Sequence, residues 1–463
     1  MRISKVVILM LIFALFTGSA FAEDRVSLAF LYGSTSNIDL IDRTNGSINQ
    51  VSPTCFDLDN KGNLAVTGNL THEFVEEMHN RGIKVTPFLS NHWSRQKGVA
   101  AVNNAENLSN QIIQKIEEYN LDGVNVDIEN LTPDHKDLLT NLVVLLNQKM
   151  PEEKILSVSV AANPTGKTTG WQGSYDYEAL GMNSDYLLLM TYDEHSQGGP
   201  EGPVSSHEFV ENSIIYATNY VEKDKLVLGI PFFGRYWKLN ENTGEYSGGK
   251  AVVIGAMPGI IERHKGIAEY DETIGEAKLT IVVNNAEMSS RVNGEDLEDG
   301  EYVFWYPNHE AIQDKLALVN QYDLLGSGVW ALGQEKVDVW AYYKDNLNKN
   351  PRFEEAQYAE VESDVEVKEF EFASSKYDLT PISEAIIEAR KVVKEFIGLE
   401  FSELLDTTDA YEEVPHKHEE FYDGAEFAKV KEKTVKNTSG LFTAFMTLSG
   451  IVNYHLCLRY IPT

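Results

Sequence analysis

The chain has 463 residues, 43% of them hydrophobic, and a formal net charge of −32. That length and apolar content suit one large domain with a real core and something smaller beside it. The acidity argues against nucleic acid and against attraction to anionic membranes. The two cysteines, Cys55 and Cys457, stand too far apart and are too few for a disulfide framework.

At the start of the chain, Arg2 and Lys5 flank an apolar run from Val6 to Phe16, and Ala20-Phe21-Ala22 reads as a small-x-small cleavage site. This predicts a signal peptide over 1–22, cleaved near Ala22, and a mature protein secreted to the cell envelope or beyond it. The run is short for a membrane span. The later apolar stretch 441–458 is interrupted by Ser449, Gly450, Asn453 and His455, so an integral membrane protein is not expected.

From residue 26 to about 347, short β-rich runs alternate with amphipathic stretches, the pattern of a parallel sheet. Strands are predicted over 26–32, 50–57, 84–89, 123–129, 155–161, 186–192, 226–231 and 328–332. Helices are predicted between them, among others over 107–119, where Ile112, Ile113, Ile116 and Tyr119 share one face, and over 133–149. Eight such strands point to an α/β fold, a (β/α)8 TIM barrel over 23–348. Cys55, in an apolar run, reads as a small core residue. The stretch 239–306 is too long for a bare connection. It contains a strand-like run at 278–284, and a small β-rich insertion between strands seven and eight is expected. An acidic linker follows over 349–375. The remainder, 376–463, reads as a small α+β appendage with an amphipathic helix at 382–396. The run His416-Lys417-His418-Glu419-Glu420 lacks the further ligands a metal site needs. Neither metal nor cofactor is expected.

The fourth predicted strand carries the chemistry: Asp122-Gly123-Val124-Asn125-Val126-Asp127-Ile128-Glu129. Alternate side chains of a strand share a face, so Val124, Val126 and Ile128 meet the helices while Asn125, Asp127 and Glu129 turn to the barrel interior. Polar groups there are costly unless bonded or used. Glu129 falls at the C-terminal end of the strand, where barrel active sites are built. Crowding by Asp127 is expected to raise its pKa, which suits a general acid at neutral pH.

This strand resembles the Asp-Gly-x-Asp-x-Asp-x-Glu signature of glycoside hydrolase family 18. Leu189-Met190-Thr191-Tyr192-Asp193 is similar to the family's Met-x-Tyr-Asp strand. Leu228-Gly229-Ile230-Pro231-Phe232-Phe233-Gly234-Arg235 is similar to its Gly-Ile-Pro-x-Tyr-Gly strand, and Gly328-Val329-Trp330-Ala331-Leu332-Gly333 to its last strand. The resemblance covers most of 26–347, with the four motifs in the family's order. Asn125 departs from the signature's aspartate. Together with Asp193-Glu194-His195-Ser196-Gln197-Gly198-Gly199-Pro200, it resembles the branch of spore-cortex-lytic and other bacterial cell-wall N-acetylglucosaminidases, and also the related chitinase-domain proteins of animals.

The resemblance implies a retaining, substrate-assisted mechanism in which the sugar's own N-acetyl group is the nucleophile. It implies Glu129 as proton donor, Asp127 as holder of the acetamido N–H, and Tyr192 as donor to the acetamido oxygen. Trp330 would stack on the sugar. Met190 and Asn125 would belong to the substrate site, and Asp193 would bond the sugar or position Asp127. Asn125 would also bond Asp127, so that Asn125→Asp would move the pH optimum. Arg235, after the seventh strand, is readable as a subsite residue. Trp237, Trp93 and Trp171 are readable either as subsite residues or as packing. His195 is readable as a loop hydrogen-bonder. The expected partner is a polysaccharide containing N-acetylglucosamine, with the chain acting as a monomer. Peptidoglycan is the leading substrate, chitin the second, and a non-catalytic lectin the reading from another class. Retention of Asp127, Glu129 and Tyr192 together speaks against the lectin.

Overall fold

The structure is a computed structural model that describes residues 25–32, 38–68, 70–286, 290–349, 411–413 and 428–430. The predicted signal peptide, nearly all of the linker and appendage, the 441–458 run, Cys457, and the His416 and His418 pair lie outside the described residues. Within the last 111 residues, Tyr411–Glu413 and Ala428–Val430 form an antiparallel pair.

The first unit is a closed barrel. Its staves are Val26–Leu31, Gln50–Pro53 continued by Phe56–Leu58, Lys84–Val85 continued by Phe88–Ser90, Gly123–Asp127, Ile155–Ala161, Tyr186–Met190, Leu226–Pro231 and Gly326–Trp330. Each pairs in parallel with the next, and the last returns to the first with Val26 opposite Gly326. Closure runs through the third stave. Its first half bonds Gln50 and Val51, and its second half bonds Phe56–Asp57 on one side and Asn125–Asp127 on the other. The break falls at Pro87, which has no N–H to give a ladder.

Two apolar layers follow from the strand alternation. Outward residues such as Val124, Val126, Leu187 and Leu189 pack against Ile112, Ile116, Leu142 and Leu146 of the surrounding helices. Cys55 is in the same layer, fully buried, and burial pushes its thiol pKa up, as expected of a core residue rather than a nucleophile. Inward residues Leu28, Phe30, Phe88, Tyr186, Leu188, Met190 and Val227 fill the barrel. The helices at the predicted positions are Ala105–Tyr119, closed by Asn120 in the left-handed region, and Lys136–Lys149, preceded by a turn at Pro133–His135. Among the described residues, no helix is long and apolar enough to cross a membrane.

The insertion between staves seven and eight is a five-stranded antiparallel sheet. Its order is Glu245–Val253, Phe233–Asn240, Gly300–Tyr306, Glu276–Val283 and Ala268–Asp271, with helix Met257–His264 beside it. It starts at Phe233, earlier than residue 239. Phe232 is buried directly after stave seven, and Gly234-Arg235 therefore belongs to the insertion.

Gly123 opens the acid-bearing stave at φ 152°, and a Cβ there would lie 1.8 Å from the Ile155 carbonyl oxygen. Gly326 meets Val26 in the same way at the start of the last stave. Gly326 shares only the close approach, whereas at Gly123 glycine alone tolerates both the backbone conformation and the approach. Gly123→Ala is expected to cost roughly 3 kcal/mol or more in chemical denaturation, or to abolish folding. A loss under about 1 kcal/mol would mean that the strand crossing is looser than described.

Candidate active site

The fourth stave ends at Asp127, two residues before the predicted end, so Glu129 stands on the first loop residues at the barrel mouth. Its backbone is held by a side chain instead of a ladder. Asn91, fully buried after stave three, accepts from the Glu129 N–H at 2.9 Å and donates to the Glu129 carbonyl at 2.8 Å. The next loop residues are tied in as well. Arg95 donates to the Asn130 carbonyl and side-chain oxygens at 2.7 and 2.8 Å, and the Asn130 side chain donates to the Trp93 carbonyl at 2.9 Å. Two loops are thus stitched together under the acid.

Asp127 is buried, and its Oδ1 has no hydrogen-bond partner. Asn125 does not supply one. Its amide donates to Ser157 Oγ and accepts from Ser159 Oγ, both at 2.9 Å, and it is fully buried a layer below the mouth. The expected Asn125–Asp127 bond is therefore replaced by bonds to stave five, whose two inward serines compete successfully for both ends of the amide. With no exposed atoms, Asn125 supports the stave from below and has no surface to offer a substrate.

Tyr192 follows stave six, half-buried and edge-on to Phe233 at 5.9 Å between ring centres. Its hydroxyl pKa is raised well above the usual tyrosine value, by burial first and then by Asp127, Glu129 and Asp193, which brings those four groups into one field. Asp193 is gripped by Arg235 through two bonds of 2.7 and 2.9 Å, so its partner is the insertion rather than Asp127. Trp330 lies half-buried among Phe30, Tyr32 and Phe88, 5.3 to 5.8 Å away, and Met190 is buried in the same cluster. Trp237 is fully buried and donates to the Gly199 carbonyl, so it packs rather than lining the cleft. His195 bonds the Pro203 carbonyl within its own loop.

Sequence reasoning missed Asn91, Ser157, Ser159 and Tyr175. Tyr175 is buried, donates to the Ile128 carbonyl at 3.1 Å, and feels both Glu129 and Asp127. From it a row of rings runs outward through Trp171 to the exposed Trp93. The alternation Ser157-Val158-Ser159 was the readable signal for the serines. Nothing local marks Asn91 or Tyr175.

Burial raises the pKa of Asp127 to about 7. Glu129 is raised well above the ordinary carboxylate range, by burial first and then by the charges of Asp127 and Asp193. Like charges this close do not both ionise readily, so the pair retains a proton near neutrality. For Asp127 the native state binds the proton more tightly than the unfolded chain. Its contribution to stability is full below 3.8 and is lost as pH rises to about 7. Asp127→Asn removes that slope. Its stability relative to wild type is expected to rise by roughly 1 to 4 kcal/mol between about pH 5 and about pH 8 in urea titrations. Parallel pH curves for the two proteins would contradict a proton-holding Asp127. Asn91→Ala strips both backbone bonds from Glu129. We expect it to cost roughly 2 kcal/mol of stability and to lower turnover about tenfold or more with little change in KM. Unchanged turnover would show that the acid is held by other means.

A closed barrel with two proton-sharing carboxyls at its C-terminal mouth, beside a tyrosine and a tryptophan, defines a barrel of the glycosidase class. The sequence model of the glycosyl hydrolases family 18 matches residues 46–335, and the chain belongs to that family. It is 26% identical over 237 residues to the uncharacterized glycosylase YvbX of Bacillus subtilis, covering 50% of this chain and 63% of that protein. It is 25% identical over 246 residues to the cortical fragment-lytic enzyme of the same organism, covering 52% and 53%. The chain thus spans about half to under two thirds of the length of these relatives. Among solved structures, a chitinase from Chromobacterium violaceum superposes with a TM-score of 0.62 at 23% identity, over 70% of this chain and 99% of that one, a likeness of fold.

Proposed function

We propose that this chain is a secreted hydrolase that cleaves β-1,4 bonds next to N-acetylglucosamine in peptidoglycan by substrate assistance. The observation that carries the reading is the buried, partnerless Oδ1 of Asp127 beside a raised-pKa glutamic acid. A buried acceptor left open is costly, and an acetamido N–H is the donor that such a substrate brings. With Asp127 accepting that N–H and the Tyr192 hydroxyl donating to the acetamido oxygen, the oxygen faces the anomeric carbon. It attacks as the glycosidic C–O bond breaks, and Glu129 delivers its proton to the departing oxygen. Water then opens the oxazolinium ion and returns a proton to Glu129. The high pKa of Tyr192 keeps it a donor throughout. Trp330 and the exposed Trp93 offer apolar faces to sugar rings.

Two features support peptidoglycan: Asn125 within the acid motif, and similarity to a cortical fragment-lytic enzyme. Chitin presents the same acetamido group and is the second reading, supported by the fold's likeness to a chitinase. The test compares wild type with Glu129→Gln on purified peptidoglycan and on chitin oligosaccharides, reading new reducing ends by mass spectrometry. Wild type is expected to cleave peptidoglycan, and Glu129→Gln to be slower by about 10²- to 10⁴-fold. Cleavage of chitin oligosaccharides alone would move the substrate. Binding without cleavage of either would sink the hydrolase and leave a lectin.

A further inference from the structure

Outside the mouth, two more carboxyls are buried among the described residues, Glu276 and Glu335, and the mechanism above uses neither. Glu276 opens a strand of the insertion and is fully buried. Its Oε2 accepts from the Val204 N–H at 2.6 Å, the Ser205 backbone bonds the same carboxyl, and Oε1 has no partner. Lys315, from helix His309–Gln321 and 1% exposed, is the cation whose field acts on it, and Glu194 adds a like charge. A buried charge of this kind is costly, and a solvated or apolar side chain would anchor a surface loop more cheaply.

The bonds lead from this carboxyl to the site. Val204 and Ser205 end the loop that begins at Asp193. The Ser205 hydroxyl donates to the Thr191 carbonyl at 2.6 Å, and the Thr191 hydroxyl donates to the Gly229 carbonyl at 2.6 Å. Thr191 immediately precedes Tyr192. Glu194 closes the same loop, donating its N–H to the Val204 carbonyl at 3.0 Å and accepting from the Ser206 N–H at 2.9 Å.

We propose that Glu276 is a positioning residue that acts through the Val204–Ser205 backbone and Thr191 to fix the Tyr192 hydroxyl in the cleft. This rests on the reading of Tyr192 as the group that orients the substrate. Burial raises the Glu276 pKa to about 7, the Lys315 charge and the Val204 and Ser205 N–H donors work against that rise, and the carboxyl oxygen is an acceptor for those donors.

The experiment has two arms. The first needs no activity: the full chain is labelled with ¹³Cζ-tyrosine, and the Tyr192 resonance is assigned from Tyr192→Phe. Glu276→Ala is expected to shift or broaden that resonance while those of remote tyrosines such as Tyr119 stay in place. A Tyr192 signal unmoved in folded Glu276→Ala overturns the proposal. Should that variant not fold, Glu276→Leu paired with Lys315→Met removes the acceptor and both charges at nearly constant volume and is read in the same way. The second arm is a double-variant cycle on the cleaved oligosaccharide. Glu276→Ala is expected to lower kcat roughly ten- to a hundredfold with KM little changed, and to add almost nothing in a Tyr192→Phe background. Full additivity overturns a route through Tyr192. A wild type that cleaves no substrate defeats the hydrolase reading alone, because the resonance arm still decides whether Glu276 positions Tyr192.

Discussion

Two carboxyl groups set two residues apart at a barrel mouth, Asp127 ending a strand and Glu129 on the loop that follows it, are the constraint to which the rest of the site answers. In that low dielectric neither ionises freely, and the proton they retain is the reagent a glycosidase needs. The arrangement is unfavourable for folding. The pKa of Asp127 is lifted to about 7 and its Oδ1 is unbonded, so the acid strand contributes less to stability than an apolar strand of the same length would. Everything around it either holds the backbone still or leaves the carboxyls alone.

Asn91 performs the first task and Asn125 the second. Asn91 replaces the ladder bonds that stave four gives up when it ends at Asp127, so that Glu129 is fixed without any donor reaching its carboxyl. Asn125 turns both ends of its amide to Ser157 and Ser159. An aspartate at that position would add a third buried charge to the same face, with only two serine hydroxyls to meet it. The asparagine is best understood as the neutral member that lets the other two share their proton undisturbed.

Much of this was legible in the sequence, and the residues that were not share a physical cause. The eight staves and the helices between them follow from period-two and period-3.6 patterning. The inward face of stave four follows from alternation alone, which placed Asp127 and Glu129 at the mouth. Family resemblance, rather than patterning, picked out Tyr192 and Trp330. Asn91, Tyr175, Arg235 as the partner of Asp193, and Glu276 were not legible in this way. Each works through a contact with a residue distant in the chain, and each looks locally like an ordinary polar residue in a loop or a strand of the insertion. The bond expected from Asn125 to Asp127 failed for the same reason. Which neighbour an inward amide meets depends on the stagger between adjacent staves, and that is a property of barrel closure.

The insertion gives this logic its last step. One wall of the cleft is the loop from Asp193 to Ser206, and the insertion holds it along its length. Arg235 grips Asp193, Trp237 donates to Gly199, Trp305 bonds Glu201, and Glu276 takes the Val204 N–H. Loops carry function because scaffolds tolerate their variation, but a catalytic loop must also be rigid at the scale of a hydrogen bond. A barrel edge offers few groups to bond such a loop. An antiparallel sheet offers side chains on both faces and so supplies what stave six cannot. The insertion thus serves as a second scaffold for the tyrosine side of the cleft, as stave three and its loop do for the glutamate side.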